Sequence, residues 1–405
     1  MDYRKLIEAY KNGSLDEQQN AQVSADIEKH EAISDYLMEN AEIPGLDEIS
    51  FDGHADMQQS EADNSRHPEA LGEQINQYIR RAFVKAGITV GALVLAITLA
   101  VMFVLPHAVD LFYYNPGEIA GKTATGLETN RISLDMAVYT EMNLPGSYRD
   151  RVSCESDGYG SYSLYIQQTS SYSGVFNDTA GKLTRNKLTV YNPNLFKHYP
   201  INAFVSVPEL NSLSSGTGAA GSYDDAMETL QNLNEESYYM AYVTLDKVMS
   251  YRELAKWCAA NPAYLPEWCA VCVKGDNGFE QAAGGIGFLY DASCSGIGFD
   301  SDKYPLLTLF SVYEKNPEPA EIWEISEKDM TQHTVSMLRY TADHMDFSNM
   351  MDNSVGNEAV ARELANNIES NGLYVYGFTL TGKKAELNHL MSDKHISYIY
   401  TTPVA

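Results

Sequence analysis

The chain has 405 residues, 44% of them hydrophobic, and a formal net charge of −27. That length allows two or three domains. The charge excludes nucleic acid as a direct partner, because an acidic surface repels phosphate instead of displacing its counterions.

The first nine residues are charged and amphipathic, unlike the apolar stretch of a signal peptide. Tyr3, Leu6, Ile7 and Tyr10 recur at spacings of three and four, which predicts a short helix with one apolar stripe. Asn12-Gly13 is a stop signal, and Ser14 or Asp16 can cap a second helix with Glu17 in its first turn. That helix is predicted to run to about Lys29, and a third to cover residues 31–42 before Pro44-Gly45. Residues 1–45 thus read as a small helical domain. Residues 46–67 are acidic and poor in apolar side chains, as in a linker. From Pro68 a further helix places Leu71, Ile75, Tyr78 and Ile79 on one face and leads directly into the next segment.

Residues 86–105, AGITVGALVLAITLAVMFVL, contain no charge. Twenty helical residues rise about 30 Å, the thickness of the hydrocarbon core of a bilayer. A buried core helix is the alternative, but such helices seldom run this far without a polar break. Arg80, Arg81 and Lys85 precede the run, and Asp110 and Glu118 follow it. Basic residues favour the cytoplasmic side, so the amino terminus is expected inside the cell and the carboxyl terminus outside. Tyr113 and Tyr114 would then lie in the outer aromatic belt. Gly87 and Gly91 form a small-residue pair that would let two spans approach closely, although many spans carry one by chance.

Beyond the span, residues 132–142, 149–155 and 159–168 alternate as strands do. They are expected to build a β-rich region over residues 106–210. Residues 211–222, NSLSSGTGAAGS, are of low complexity, and a spacer is placed over residues 211–236. A second region, 237–405, carries two similar passages. In the first, strand 238–245, helix 250–260 and strand 268–273 follow one another. In the second, strand 374–380, helix 382–391 and strand 396–401 do the same, each helix holding a Glu-Leu pair (Glu253-Leu254 and Glu386-Leu387). Two strand–helix–strand units predict an α+β domain with mixed or antiparallel sheets and helices on one face. The whole chain therefore reads as an all-α cytoplasmic domain, one transmembrane helix and an exported α+β part.

All five cysteines, Cys154, Cys258, Cys269, Cys272 and Cys294, follow the span, which suits an exported domain where disulfides persist. Cys269 and Cys272 could suggest zinc or redox chemistry, but three residues apart in a strand their sulfurs point to opposite faces. Cys258, Cys269, Cys272 and Cys294 are better taken as disulfide candidates, with buried free thiols as the alternative. The repeated Gly-Ile-Gly-Phe at residues 285–288 and 296–299 reads as turns flanking a hairpin. Asp300 and Asp302 read as a solvated turn, since the remaining ligands of a calcium loop are missing. No catalytic signature appears, so no enzymatic activity, catalytic residue, metal site or cofactor is expected.

Residues 6–17, LIEAYKNGSLDE, resemble the opening of anti-sigma factors, where a Leu-rich helix ends in Tyr-x-x-Gly-x-Leu before an acidic second helix. That family continues with His-x-x-x-Cys-x-x-Cys, which can hold zinc. Here His30 is followed at those spacings by Ser34 and Leu37, so the thiolates are gone and one imidazole cannot supply a tetrahedral set. The chain is similar in layout to the membrane-bound sigma factor regulators of Gram-positive bacteria. It shares the Tyr113-Tyr114-Asn115-Pro116 exit and the passage YVTLDKVMSYRELAKW at residues 242–257. The resemblance implies a membrane-anchored anti-sigma factor that sequesters an extracytoplasmic-function sigma factor and releases it on an envelope signal. The implied partners are a sigma factor, the lipid bilayer, and an envelope ligand or protease. Tyr3, Leu6, Ile7, Tyr10, Ile75, Tyr78 and Ile79 are the contact residues to test, against the alternative that they form the domain's own core. The competing function is an exported cell-wall or peptide-binding module with a non-regulatory stub. The topology has a direct check. Protease added outside intact cells should leave a fragment of about the first hundred residues, whereas cleavage within residues 1–60 would reverse the orientation.

Overall fold

The computed structural model describes residues 9, 10, 12–40, 68–123, 125–149, 151–170, 176–200, 203–205, 207–210, 223–290, 297–309, 325–351 and 355–404. The first helical turn stops at the predicted signal. Gly13 takes φ +60°, the Ser14 N–H donates to the Ala9 carbonyl at 2.9 Å, and the Gly13 N–H donates to Tyr10 at 3.2 Å. These are the paired bonds of a Schellman stop, and glycine there avoids the Cβ clash of a left-handed residue. Asp16, rather than Ser14, caps the next helix by accepting from the Gln19 N–H at 2.8 Å. That helix, α1, runs unbroken over Glu17–Asn40. The separate helices predicted on either side of His30 are one, because no Gly or Pro interrupts the stretch.

Helix α2 covers Pro68–Leu99, continues through a π-helical turn at Ala100–Val104, and ends in α3, Leu105–Asp110. The juxtamembrane helix does run straight into the apolar segment. Over Ile79–Asp110 this is the one helix among the described residues long and apolar enough to cross a membrane. None of its apolar window is buried within the protein, which removes the core-helix alternative. Its hydroxyls are satisfied internally, Thr89 to the Lys85 carbonyl at 3.0 Å and Thr98 to Val94 at 2.8 Å. The chain divides into two compact units, Met1–Val84 and Lys85–Ala405.

In the second unit, strands β1 (Ile119–Lys122) and β2 (Glu128–Asn130) form a hairpin ahead of helix α4, Arg131–Asn143. A five-stranded antiparallel sheet comes next: β3 (Ser147–Tyr148), β4 (Val152–Gly158), β5 (Ser161–Ser170), β6 (Phe176–Thr184) and β7 (Lys187–Val190). Its order is β3-β5-β6-β7, with β4 also paired to β5. Residues 132–142 correct the sequence-based expectation of a strand. Ile132, Leu134, Met136 and Val138 alternate as in a strand, yet the Asn130 side chain accepts from the Ser133 N–H and caps a helix. That helix is buried on every side from Ile132 to Asn143, so no solvated face stamps a 3.6-residue period on its sequence.

Helix α5 (Tyr223–Gln231) stands where the spacer was placed, and it leads into the second sheet. Its core strands are β8 (Tyr238–Ser250), β9 (Trp268–Gly275), β12 (Tyr374–Lys383) and β13 (Ile396–Pro403), joined by helices α6 (Tyr251–Ala260) and α10 (Lys384–Leu390). Between β9 and β12 lie β10 (Gly278–Gln281), β11 (Gly287–Leu289), α7 (Glu327–Asp343), α8 (Met345–Ser348) and α9 (Glu358–Asn371). The order β10-β9-β12-β8-β13 places each unit's first strand at the centre and its second strand against the other unit. This is the interleaved β-α-β-β-α-β topology. The repeated Glu-Leu pairs acquire a reason. Glu253 accepts from the Ser250 N–H at 2.9 Å and Glu386 from the Lys383 N–H at 2.8 Å, each closing the first helical turn. Leu254 and Leu387 enter the core.

Both faces of this sheet are covered, so its strands read as continuous apolar runs. Val243, Cys269, Val271 and Phe378 face the helices, whereas Tyr242, Trp268, Ala270, Cys272 and Tyr376 face a second core closed by Ala203, Phe204 and Val207. Helix α4 is shared between cores. Leu134, Ala137, Val138 and Met142 pack with the helical side of the large sheet, while Ile132, Met136 and Tyr139 pack with the five-stranded sheet. Leu134→Ala should therefore cost about 2–5 kcal/mol, the usual range for a buried Leu. Leu127→Ala, on an exposed side chain, should stay within about 0.5 kcal/mol, and denaturant midpoints of the detergent-solubilised full chain would read both.

Candidate functional site

The residues expected to contact a partner lie in the first unit. Tyr3, Leu6 and Ile7 are outside the described residues. Tyr10 is half-buried at the Schellman stop. Ile75 and Tyr78 fall on α2, and Ile79, about two turns before the uncharged run of residues 86–105, is 48% exposed. On α1 Val23 is buried, whereas Ile27 and Ile33 project into solvent, at 37% and 55% exposure. These two escaped the sequence reading because α1 was divided near His30, which hid their place on one helix. The surrounding charge is acidic, residues 1–80 carrying 18 Asp and Glu against 6 Lys and Arg.

The second unit holds its polar groups around α4. Asp135 accepts from the Tyr114 hydroxyl at 2.6 Å and from Tyr340 at 2.7 Å. Burial pushes its carboxyl above the usual carboxylate range. Arg131 lies over the Tyr114 ring at 4.6 Å, and its Nη2 donates to both Asp346 oxygens at 2.7 Å. Tyr114 therefore belongs to the core of the unit and not to the aromatic belt. Leu111 and Phe112 are the side chains left exposed beside the span, at 85% and 82%. Arg149 is buried on Phe196 and bonds to Thr140, Gln168 and the Leu195 carbonyl; burial pushes its pKa down to about 9.

At the other end of α4, Glu141 meets His333 of α7, with Nε2 2.7 Å from the carboxylate. The His333 Nδ1 lies 2.8 Å from the Leu306 carbonyl. With Glu141 ionised, both nitrogens face acceptors and the doubly protonated imidazolium is the form that satisfies them. Burial alone would lower the pKa of His333, but Glu141 and these bonds outweigh it and hold the imidazole above its ordinary value. The Glu141 main-chain carbonyl also accepts from the Trp268 indole at 2.8 Å, fastening α4 to β9.

Cys154, Cys258, Cys269 and Cys272 are free, and Cys294 lies outside the described residues. The opposite-face argument holds: Cys269 packs on the helical side of the sheet and Cys272 on the other. Burial pushes the Cys258 thiol up to about 12, which suits an inert side chain more than a nucleophile. Asp300 accepts from the main-chain N–H groups of Asp302 and Lys303, each at 3.1 Å, as a solvated turn does. Gly287–Leu289 is a strand, not a turn. A groove of 680 Å³ opens near the start of α4, lined by Asn130, Ser133, Arg151 and Cys154 among others.

Residues 230–400 match the family described as sigma factor regulator C-terminal. The match runs from the end of α5 into β13 and so encloses the interleaved sheet with its inserted helices. The match covers less than half of the chain, likens this domain to the C-terminal part of sigma factor regulators and supports a regulatory role. No curated protein and no solved structure matches the chain.

The His333–Glu141 pair gives the unit a pH dependence of defined sign. A histidine whose folded pKa exceeds its unfolded value of about 6.5 contributes stability that is complete below that value and is lost as pH rises through the folded one. The melting temperature of the full chain should fall across that window. His333→Gln should lower it at pH 6 and flatten the window, which thermal melts at stepped pH would show.

Proposed function

We propose that this chain is a membrane-anchored anti-sigma factor. Its first unit lies inside the cell and holds an extracytoplasmic-function sigma factor, and its second unit lies outside and answers an envelope signal. The observation that carries this reading is the sigma factor regulator C-terminal domain on one side of an exposed apolar helix, with an acidic helical segment on the other. Arg80, Arg81 and Lys85 on the amino-terminal flank favour that orientation. The bilayer is the partner of the apolar helix, and an envelope ligand or protease is the source of release.

A sigma factor reaches promoter DNA and polymerase through basic surfaces. An acidic helical segment with apolar anchors competes for them by charge and by burial. Tyr3, Leu6, Ile7 and Tyr10 supply one set of anchors, and Ile75, Tyr78 and Ile79 the other. Ile27 and Ile33, exposed on α1, join them as contacts. On this reading the segment needs no zinc, because Ser34 and Leu37 stand where the family's thiolates would be.

The two contributions separate by mutation. Leu6→Asp places a charge in an apolar contact, at a cost of several kcal/mol if it stays buried. A sigma-dependent reporter in cells should then switch on without an envelope signal. Neutralising Asp16 and Glu17 should slow association and weaken its salt dependence with a smaller effect on repression. Deleting residues 120–405 should keep repression and abolish the response. Full repression by a well-folded Leu6→Asp chain would remove the first helix from the interface. Absence of any bound sigma factor would leave the exported binding module as the function.

A further inference from the structure

The outer end of the apolar helix has a main-chain bond missing. Residues Ala100–Val104 are wound as a π-helix, in which the Leu105 N–H donates to the Ala100 carbonyl five residues back. The next donor in that register would be residue 106, reaching the Val101 carbonyl. Residue 106 is proline, which has no N–H. Apolar surroundings at this depth offer no water to replace it.

The replacement comes from the five-stranded sheet. The Tyr159 hydroxyl, 58 residues further along the chain, donates to the Val101 carbonyl at 2.6 Å. Tyr159 sits at the tip of the β4–β5 hairpin with φ +57°. Beside it the Gly160 N–H donates to the Asp110 carboxylate at 2.6 Å. Gly160 has φ +71°, and a Cβ there would stand 2.9 Å from the Tyr113 ring, so the hairpin tip and the exit segment are fitted to each other. The neighbouring turn joins in: the Arg185 N–H donates to the Gly160 carbonyl at 2.8 Å, and the Asn186 side chain accepts from the Tyr114 N–H at 2.7 Å. Two hairpin turns of the five-stranded sheet thus hold both ends of the segment that leaves the helix.

We propose that Tyr159 is a joint between the exported unit and the span. Its hydroxyl stands in for the absent N–H of Pro106 and keeps the last turns of the helix in π register. A shift of the five-stranded sheet then moves the end of the span directly instead of being lost in a slack connection. The proposal rests on the reading that this helix crosses the membrane and that the outer unit signals through it.

Hydrogen–deuterium exchange of the full chain in lipid nanodiscs, read by mass spectrometry over residues 102–114, tests the joint. Tyr159→Phe removes only the hydroxyl and should speed exchange there roughly fivefold, as the loss of one hydrogen bond predicts. Pro106→Ala supplies its own N–H, so adding it to Tyr159→Phe should return exchange to that of the parent. Unchanged exchange in Tyr159→Phe, or no recovery in the double variant, overturns the joint. In cells, Tyr159→Phe should keep basal repression of the sigma-dependent reporter and blunt its response to envelope stress, with recovery in the double variant. A full response despite the loosened segment overturns the coupling role. A parent chain that represses nothing would instead count against the anti-sigma reading, leaving the exchange result to stand or fall separately.

Discussion

The second unit depends on the burial of one helix. Residues Arg131–Asn143 lie between the five-stranded sheet and the helical side of the six-stranded sheet, and they give side chains to both cores. A helix with no solvated face must satisfy every polar side chain within the protein, since an unpaired buried group costs more than a hydrogen bond returns. Asp135 does so through Tyr114 and Tyr340, Thr140 through Arg149, and Glu141 through His333. Tyr340 and His333 come from a distant part of the chain, Tyr114 from the exit segment and Arg149 from the turn just after the helix. The same contacts that make the helix tolerable in the interior therefore tie the exit segment, the β-rich region and α7 into one body.

This arrangement bears on how the second unit could act on the apolar helix. Tyr114 follows the apolar segment by a few residues and is clamped by Asp135 at the centre of the unit, while the hairpin tips at Tyr159 and Asn186 grip the same stretch from outside. The apolar helix is attached at several points to the body that carries the sigma factor regulator C-terminal domain. Rigid attachment is what a regulator needs if an event in the second unit is to be felt along the apolar helix, because coupling travels through packed elements with defined positions.

Much of the architecture was legible in the residues. The apolar run, its basic flank, the Asn12-Gly13 stop and the two strand–helix–strand passages each follow from local chemistry: chain length against bilayer thickness, the conformational freedom of glycine, and the alternation of side chains along a strand. Even the Glu-Leu repeat had a local cause, the carboxylate closing the first turn and the leucine turning inward. The misreadings share a different cause. Residues 132–142 alternate like a strand because burial on all sides erased the helical period, and Tyr114 was assigned to the lipid interface because its hydroxyl partner, Asp135, lies 21 residues away.

The sequence by itself determined the segments, their order along the chain, the apolar helix with its basic flank and the class of regulator they resemble, since these rest on interactions between near neighbours or on composition. Only the tertiary structure decided which strands pair, that α4 belongs to two cores at once, that His333 is held by Glu141, and that the Tyr159 hydroxyl completes the bond Pro106 cannot make. Those contacts join residues up to 192 positions apart. No local preference encodes them: they exist because folding must cover apolar faces and pair each polar group it takes out of water.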